Sequence, residues 1–276
     1  MDRIGPFEKL TEYGGEALPD GVFVALHAEP YATDHDRAWI MSGPSPWLQH
    51  LAQFYLCVSY PSAKNRTNGG LEERFRRMRY NDAVKEITRI TIQSALNVLP
   101  QRLGTLLPSR MDELVAFNTF SENEPVALLE IARGGSWVSQ LGQKDILPTW
   151  VDVVGRLYAA AQRTVRRRKA TVRFTLKGAC SLTDVTLIVL EQALATGTTI
   201  SEILPKVLQR CKNEPKRLIV AAYNASTDGI MRIKREYPDA LVLVVILHAG
   251  VNQHGYLIHP GCGDVGRMDA GIPDEL

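Results

Sequence analysis

The stretch VTLIVLEQALATGTTISEILPKVLQ, residues 185–209, decides the fold of this 276-residue chain. Its first six residues are apolar or β-branched, a composition typical of a strand buried on both faces. Small residues follow at 196–199, and we name this segment the threonine turn. Apolar residues then recur at helical spacing, at Ile200, Ile203, Leu204, Val207 and Leu208. We therefore expect a strand, a tight turn and an amphipathic helix in direct succession.

The threonine turn has the composition of a phosphate-binding loop. The N–H groups and the dipole of a helix N-terminus attract anions. Gly197 allows the backbone to approach a phosphate closely, and the threonine hydroxyls can donate to its oxygens. Glu191, at the predicted strand end, can accept from the hydroxyls of an attached sugar. The competing interpretation is an ordinary connection in which the threonines only cap the helix.

The overall composition indicates a globular protein with a sizeable core. Hydrophobic residues make up 45% of the chain and charged residues 22%. The net charge of +2 gives no reason to expect a nucleic acid partner. Two arginine-rich clusters, at 74–79 and 163–169, are most simply solvated faces.

The cysteines and the N-terminus bear on the cellular compartment. Cys57, Cys180, Cys211 and Cys262 have no spacing that indicates a zinc site or a redox motif, so reduced thiols are the simplest interpretation. The first residues lack the apolar core of a signal peptide, and no apolar run is long enough to cross a membrane. We therefore expect a soluble, cytoplasmic protein without a membrane partner.

The first half of the chain divides into two regions. Residues 1–46 are rich in glycine, proline and acidic residues, with strand composition only at 22–26, and we interpret them as an N-terminal extension. Residues 47–125 form a helical arm and connection, with helices expected at 47–58 and 71–99. A helix as long as the second packs either against a partner subunit or on the core.

From residue 126 to the C-terminus, strands alternate with helices. Strands are expected at 126–131, 151–157, 185–190, 218–223 and 240–247, and a basic hairpin at 163–178. This alternation predicts an α/β fold with a parallel sheet, flanked by helices and joined by right-handed crossovers. Ligands bind such sheets at the carboxyl ends of the strands, where the turns after Ile131, Leu190 and Tyr223 fall.

Four motifs, in this order, resemble those of the uracil phosphoribosyltransferase family, whose fold is of the phosphoribosyltransferase type I. EIARGGS at 130–136 is similar to the family's pyrophosphate loop, PILRAG. EQALATGTT at 191–199 resembles its phosphoribosyl pyrophosphate loop, DPMLATGG followed by Ser or Thr. AAYNASTDGI at 221–230 is similar to AAPEGI, and the segment 250–266 looks like the uracil-binding tail. The resemblance covers about half of the chain, residues 126–266.

This resemblance implies a pentosyltransferase in which a ring nitrogen of uracil, or of a related heterocycle, displaces pyrophosphate from phosphoribosyl pyrophosphate. The residues implied to bind this donor are Arg133, Gly134, Glu191, Ala195, Thr196, Gly197, Thr198, Thr199 and Asp264. Those implied to line the base, in a tail at 250–267, are Leu257, Ile258, Gly263, Asp264 and Val265. Candidate catalytic residues are Arg133, Glu191 and Asp264.

The resemblance also implies a cofactor and an assembly. Asp264 would face a magnesium-bound pyrophosphate, so Mg²⁺ is the implied cofactor. Arg133 would offer the pyrophosphate a planar set of donors. The basic hairpin at 163–178 would either close over the site as a flap or remain a solvated hairpin. The long helix and the family together imply a homodimer.

Several positions depart from the family pattern. Glu191 replaces an aspartate and Thr198 a glycine, and we expect the β-branched residue to shift the ribose or reshape the turn. His259 is inserted in the tail, Arg267 replaces its second aspartate, and His248 stands where an acidic residue is usual. These departures leave three hypotheses: a uracil phosphoribosyltransferase, the same chemistry on another acceptor in a specialised nucleoside natural product pathway, and a non-catalytic nucleotide sensor.

Overall fold

One large sheet carries the architecture and holds the candidate site at its edge. The computed structural model describes residues 1–30, 39–57, 70–103, 107–108, 110–111, 114–115, 118–120, 124–132, 153–166, 169–253 and 255–258. The helices of these ranges are α1 (Pro46–Cys57), α2 (Gly70–Leu96), α3 (Thr198–Cys211) and α4 (Thr227–Glu236). The strands are β1 (Arg3–Ile4), β2 (Phe7–Lys9), β3 (Glu12–Tyr13), β4 (Glu16–Ala17), β5 (Val22–Pro30), β6 (Trp39–Ser42), β7 (Gln101–Leu103), β8 (Leu107–Pro108), β9 (Leu114–Val115), β10 (Asn118–Phe120), β11 (Val126–Ala132), β12 (Val153–Arg166), β13 (Lys169–Lys177), β14 (Thr186–Leu194), β15 (Arg217–Ser226), β16 (Leu241–His248), β17 (Gly250–Val251) and β18 (Leu257–Ile258).

The large sheet has ten strands in the order β1-β2-β5-β16-β15-β14-β11-β12-β13, with β6 paired to β5. Its six consecutive central strands, β5, β16, β15, β14, β11 and β12, are parallel to one another. The two outer hairpins and β6 pair antiparallel. The predicted parallel sheet is therefore confirmed, with antiparallel additions at both sides.

The core lies on both faces of this sheet, because successive side chains of a strand point in opposite directions. On β14, Ile188 and Leu190 pack in one cluster with residues of α1 and α2. Leu187 and Val189 pack in a second cluster with residues of α3 and α4. A strand covered on both faces is apolar at most positions, which explains the continuous apolar run in the sequence.

The C-terminal half of α2 packs on the core. Its buried residues Val84, Ile87 and Ile92 belong to the first cluster. The hydroxyl of Thr88 lies 2.6 Å from that of Tyr223 on β15, and both side chains are buried. Of the two expectations for this helix, core packing is therefore observed for its second half.

The N-terminal extension contributes to the main sheet. Strand composition indicated 22–26 alone, whereas β5 runs to Pro30 and pairs parallel with β16. Strand β2 pairs antiparallel with β5 and buries Phe7 completely. Short strands separated by glycine turns carry too little alternation to be recognised in the sequence, which is why β1 to β4 were not predicted.

Two strands of the core are longer than expected. β12 continues to Arg166 and pairs with β13 in register from Tyr158↔Lys177 to Arg166↔Lys169, which confirms the basic hairpin. Its closure over a substrate stays a prediction. β14 extends to Leu194, so Glu191 lies inside the strand and not beyond it.

No helix in the described ranges is both long and apolar enough to cross a lipid bilayer.

Tyr13 fastens the N-terminal hairpin of β3 and β4 to β5. Its hydroxyl donates to the carbonyl oxygen of Ala28 at 2.5 Å. Its ring meets that of His27 edge-on, with the centroids 6.0 Å apart. Burial raises the pKa of Tyr13 to about 12, and the charge of nearby Glu29 acts in the same direction.

This pKa shift predicts an alkaline dependence of stability. The folded state binds the Tyr13 proton more tightly than the unfolded chain, whose tyrosine pKa is about 10. The stabilisation is therefore complete below pH 10 and is lost as the pH rises towards 12. We expect the free energy of unfolding of the wild type to exceed that of Tyr13→Phe by about 1 kcal/mol at neutral pH.

Urea unfolding of both proteins between neutral pH and pH 11.5 measures this difference, which should shrink above pH 10. Tyr256→Phe, at an exposed tyrosine, serves as the control for the loss of a tyrosine hydroxyl. A constant difference between wild type and Tyr13→Phe across this range would contradict the assignment.

Candidate functional site

The threonine turn joins β14 to α3 through a left-handed residue. Gly197 has φ 70° and ψ −6° and occupies the N-cap position of α3. Only glycine adopts this conformation without strain, so the turn requires glycine at this position. Gly197, as the N-cap residue, makes no side-chain cap hydrogen bond. The competing interpretation, in which the threonines only cap the helix, is therefore not what the structure shows.

Thr198 is the first residue of α3 and does not have to adopt a left-handed backbone. Among the described residues, the positive-φ positions other than glycine are Asp184 and Lys212. The β-branched side chain therefore adds no backbone strain, because the left-handed step is taken by Gly197. Whether Thr198 shifts a bound ribose stays a prediction.

The hydroxyls of the turn form a short chain that ends on a cation. Thr196 Oγ1 and Thr198 Oγ1 are 2.9 Å apart. Thr198 Oγ1 also accepts from the Arg232 guanidinium, again at 2.9 Å. Thr199 is buried, whereas Thr196 and Thr198 are half-buried. The two half-buried hydroxyls and one positive charge therefore lie together where α3 begins.

The first turns of α4 fix the shape of the loop. Ser226, the N-cap residue of α4, donates to the carbonyl oxygen of Ala195 at 2.5 Å and accepts from the N–H of Gly229 at 3.2 Å. A Cβ at Gly229 would lie 2.3 Å from the Leu194 carbonyl oxygen and 2.7 Å from that of Ala195. α4 therefore reaches the residues that precede the threonine turn at backbone contact distance, which only glycine permits.

Glu191 is 7% exposed and lies near the end of β14. Its Oε1 accepts from the N–H of Gln192 at 3.1 Å and from that of Ala193 at 3.4 Å. The carboxylate therefore folds back onto the backbone N–H groups of the two residues that follow it. Its proposed role as an acceptor for the ribose hydroxyls stays a prediction.

A buried polar chain links the ends of three neighbouring strands. The side-chain amide of Asn224 donates to the carbonyl oxygen of Gln192 at 3.1 Å. This leaves its Oδ1 facing His248 Nε2, 2.8 Å away, so the imidazole donates from Nε2. Asn224 and His248 are completely buried. His248, one of the departures from the family pattern, therefore joins the end of β16 to that of β15.

The start of the tail folds back as a small hairpin after β16. Val251 pairs with Leu257, and Gly250 pairs with Ile258. Leu257 is 3% exposed and belongs to the first core cluster, whereas Ile258 is half-buried. Two of the predicted base-lining residues therefore lie in ordered strand structure. Their contact with a base stays a prediction.

The structure brings together only part of the predicted site. Residues 195–197 connect β14 to α3, which begins with Thr198 and Thr199, and Glu191 lies on β14 four residues before Ala195. Five predicted residues lie outside the described ranges: Arg133, Gly134, Gly263, Asp264 and Val265. Within the ranges that are described, no group of three or more His, Cys, Asp or Glu side chains is arranged to hold a metal ion.

Sequence reasoning missed two residues that contact the loop, Ser226 and Arg232. Together with Gly229 they recur every third residue along α4 and share one face of the helix. Ser226 falls in a segment whose composition indicates a helix cap, so its capping role could be anticipated. Its bond to Ala195 could not, because that contact joins residues 31 positions apart in the chain.

The close packing of α4 on the loop predicts a strong effect of Gly229→Ala. The new methyl group would meet two backbone carbonyls, which cannot move without displacing the threonine turn or α4. We expect the free energy of unfolding to fall by roughly 1–3 kcal/mol in urea unfolding experiments.

Gly250→Ala is the matched control, since a Cβ at Gly250 meets no atom within 4 Å. This variant should stay within about 0.5 kcal/mol of the wild type. Equal stability of the two variants would show that α4 does not pack against the loop as described.

Known proteins resemble this chain in sequence. The family described as uracil phosphoribosyltransferase (UPRTase) matches residues 72–268. The uracil phosphoribosyltransferases of Thermococcus sibiricus and Thermococcus gammatolerans are each 38% identical to it, over 91 and 90 residues. Each match covers 33% of this chain, and 38% and 39% of the respective relative. The chain therefore spans about two fifths of the length of these curated relatives.

A solved structure resembles the chain in three dimensions. The AQ2163 protein from Aquifex aeolicus has a TM-score of 0.61 and 16% sequence identity, and the match covers 83% of this chain and 97% of that one. At this identity the likeness concerns the fold alone. The parallel sheet and the family match confirm the predicted fold class, a sheet of the phosphoribosyltransferase type I flanked by helices. Because the family match extends over most of its length, the chain belongs to the uracil phosphoribosyltransferase family.

Proposed function

We propose that this protein is a phosphoribosyltransferase that moves the ribose 5-phosphate of phosphoribosyl pyrophosphate onto a ring nitrogen of uracil or a related heterocycle. Pyrophosphate leaves in the same step. The observation that carries this proposal is the threonine turn of a family member, with a left-handed Gly197 and no side-chain cap at the start of α3. Such a helix start offers its N–H groups and its positive dipole end to a phosphate.

The donor site in this proposal is centred on residues 195–199. The 5′-phosphate lies against the first turn of α3, where Thr196 and Thr198 present hydroxyls 2.9 Å apart. The ribose extends towards Glu191 at the end of β14. The rigid backing of the loop by Ser226 and Gly229 supports this proposal, because a preorganised site spends less binding energy on ordering its own backbone.

The proposed reaction separates charge at the anomeric carbon. A cationic sugar and an anionic pyrophosphate develop together, so the site needs positive charge at the leaving group and acceptors at the sugar. In the proposal Arg133 binds the pyrophosphate, with Gly134 beside it, and Asp264 faces the ribose. The arginines of the β12–β13 hairpin close over the donor and exclude water.

Magnesium is part of the proposal as the partner of pyrophosphate. Mg²⁺ keeps several waters and binds through one or two carboxylates together with substrate phosphates. In the proposal Asp264 supplies the carboxylate, through the magnesium-bound pyrophosphate, and Glu191, buried near the end of β14, accepts from the ribose hydroxyls.

The acceptor is assigned to the tail. In the proposal the backbone groups of Leu257 and Ile258, which lie on β18, read a flat base together with those of Gly263 and Val265. Uracil is favoured by the family, and a different heterocycle of a specialised pathway is favoured by the inserted His259. A non-catalytic nucleotide sensor is the third candidate, since it would retain the donor site. The protein is further proposed to act as a cytoplasmic homodimer.

One experiment separates these candidates. Phosphoribosyl pyrophosphate with Mg²⁺ should raise the midpoint of thermal unfolding, because a ligand that binds only the native state stabilises it. Pyrophosphate release is then measured with a panel of bases. Release with uracil supports the salvage-type enzyme, and release with other rings alone supports the specialised enzyme. Stabilisation without release from any base supports the sensor. No stabilisation by the donor refutes the proposed donor site.

Asp264→Asn tests the assignment of the catalytic carboxylate. We expect turnover to fall by roughly a hundredfold or more, because the variant loses charge stabilisation in the transition state. Affinity for the donor should change much less. Steady-state kinetics with the base found active, and calorimetric titration with phosphoribosyl pyrophosphate, measure the two quantities. Unchanged turnover would remove Asp264 from the mechanism.

A further inference from the structure

Arg232 is a charged residue at the threonine turn that none of the family motifs assigns. It lies on α4, one helical turn beyond Gly229. Its guanidinium donates from one terminal nitrogen to Thr198 Oγ1 at 2.9 Å and from Nε to Glu236 Oε1 at 3.3 Å. The first partner is a neutral hydroxyl of the proposed phosphate site.

The aliphatic stem of Arg232 is held directly over the turn. A Cβ at Gly197 would lie 3.2 Å from both Cβ and Cδ of Arg232. The stem therefore packs against the one backbone position of the turn that has no side chain. This contact fixes the direction in which the guanidinium leaves α4, towards the start of α3.

The guanidinium is able to take a further, anionic partner. Its five N–H donors are a fixed planar set, and the two bonds above use two of them. The side chain is 37% exposed, so solvent and small ligands reach it. Glu236 offsets part of the charge, but Thr198 offers no charge at all. A phosphate oxygen is a stronger partner for this group than a hydroxyl, because both partners would then be ionised.

We propose that Arg232 binds the 5′-phosphate of the donor and is a specificity-determining residue for phosphorylated sugars. This inference rests on the proposed function, since it places the 5′-phosphate at the threonine turn. When the phosphate binds, the guanidinium turns from Thr198 Oγ1 to a phosphate oxygen. The Thr198 hydroxyl, whose proton Arg232 does not use, donates to the same phosphate.

In this proposal Thr198 and Arg232 act together on the phosphate. Thr198 stands where the family pattern has a glycine, and its hydroxyl is the atom that Arg232 contacts in the structure. The hydroxyl keeps the guanidinium beside the turn before the ligand arrives. Preorganisation of this kind lowers the entropy that is lost on binding.

Calorimetric titration of the full chain with two probes tests the inference. Ribose 5-phosphate carries the group that Arg232 is proposed to bind, whereas inorganic pyrophosphate, with Mg²⁺, reports on the other end of the donor. Arg232→Ala should weaken ribose 5-phosphate binding roughly ten- to a hundredfold, the range of a charged hydrogen bond. Pyrophosphate affinity should stay within about twofold of wild type, as for a distant site.

Two further variants sharpen the measurement. Arg232→Gln keeps part of the aliphatic stem over Gly197 and removes the charge, so it carries the test if the alanine variant folds poorly. Arg235→Ala is the matched control, because it removes the same charge from an exposed position on the same helix. We expect Arg232→Gln to lose ribose 5-phosphate affinity as the alanine variant does, and Arg235→Ala to retain it, since solvent screens exposed charges.

The outcomes divide as follows. Selective loss of ribose 5-phosphate binding in the Arg232 variants supports the inference. Equal affinities in the Arg232 and Arg235 variants, with a wild type that binds the probe, overturn it and leave the proposed function intact. Equal loss of both probes also overturns it, because Arg232 then acts on the site as a whole. A wild type that binds neither ribose 5-phosphate nor phosphoribosyl pyrophosphate removes the proposed function and this inference together.

Discussion

The contact between the first turn of α4 and the end of β14 is the constraint on which the candidate site depends. Gly229 brings α4 so close that a methyl group there would meet the carbonyl oxygens of Leu194 and Ala195. Ser226 closes the same contact with a hydrogen bond to Ala195. These two contacts fix the backbone just before the threonine turn. They therefore also fix the position of Gly197, the left-handed residue of the turn. The start of α3 is then presented at the carboxyl edge of the sheet without a side-chain cap. The geometry of the turn is therefore set by a neighbouring helix as much as by its own residues.

The same edge is held across the sheet by buried polar groups. The chain from Gln192 through Asn224 to His248 crosses β14, β15 and β16 just where these strands end. Buried polar groups are costly unless they are paired, so this chain specifies how the three strand ends lie relative to one another. The tail hairpin begins two residues after His248. The position of the tail relative to the threonine turn is thus determined by hydrogen bonds between side chains, in addition to the packing of the sheet.

Much of this arrangement could be predicted from local sequence, and the remainder depends on contacts between distant residues. The apolar run at 185–190 predicted a buried strand because both faces of that strand are covered, and helical spacing predicted α3. The strand nevertheless continues to Leu194, since pairing with β15 overrides the polar character of Glu191 and Gln192. Strand β5 was only partly predicted, because its partner β16 lies more than 200 residues later in the chain. Ser226 and Arg232 have no local signal for their contacts with the loop. Both act through the packing of α4 on the end of β14, which no sequence periodicity reports.

Two departures from the family pattern, Thr198 and His248, can be explained by the residues that they contact. Taken alone, Thr198 in place of glycine suggests a strained turn, and His248 in place of an acidic residue suggests a lost charge. In the structure Thr198 is a helical residue without backbone strain, and its hydroxyl accepts a hydrogen bond from the guanidinium of Arg232. His248 donates a hydrogen bond to Asn224 Oδ1. Each of these two residues thus has a specific hydrogen-bond partner, which a residue in an unused site does not need. A substitution that keeps the backbone conformation of the turn and changes its polar partners leaves the N–H groups of the helix start in place. The changed residues therefore favour the proposal of a phosphate site with a different set of ligands over that of a degenerate loop.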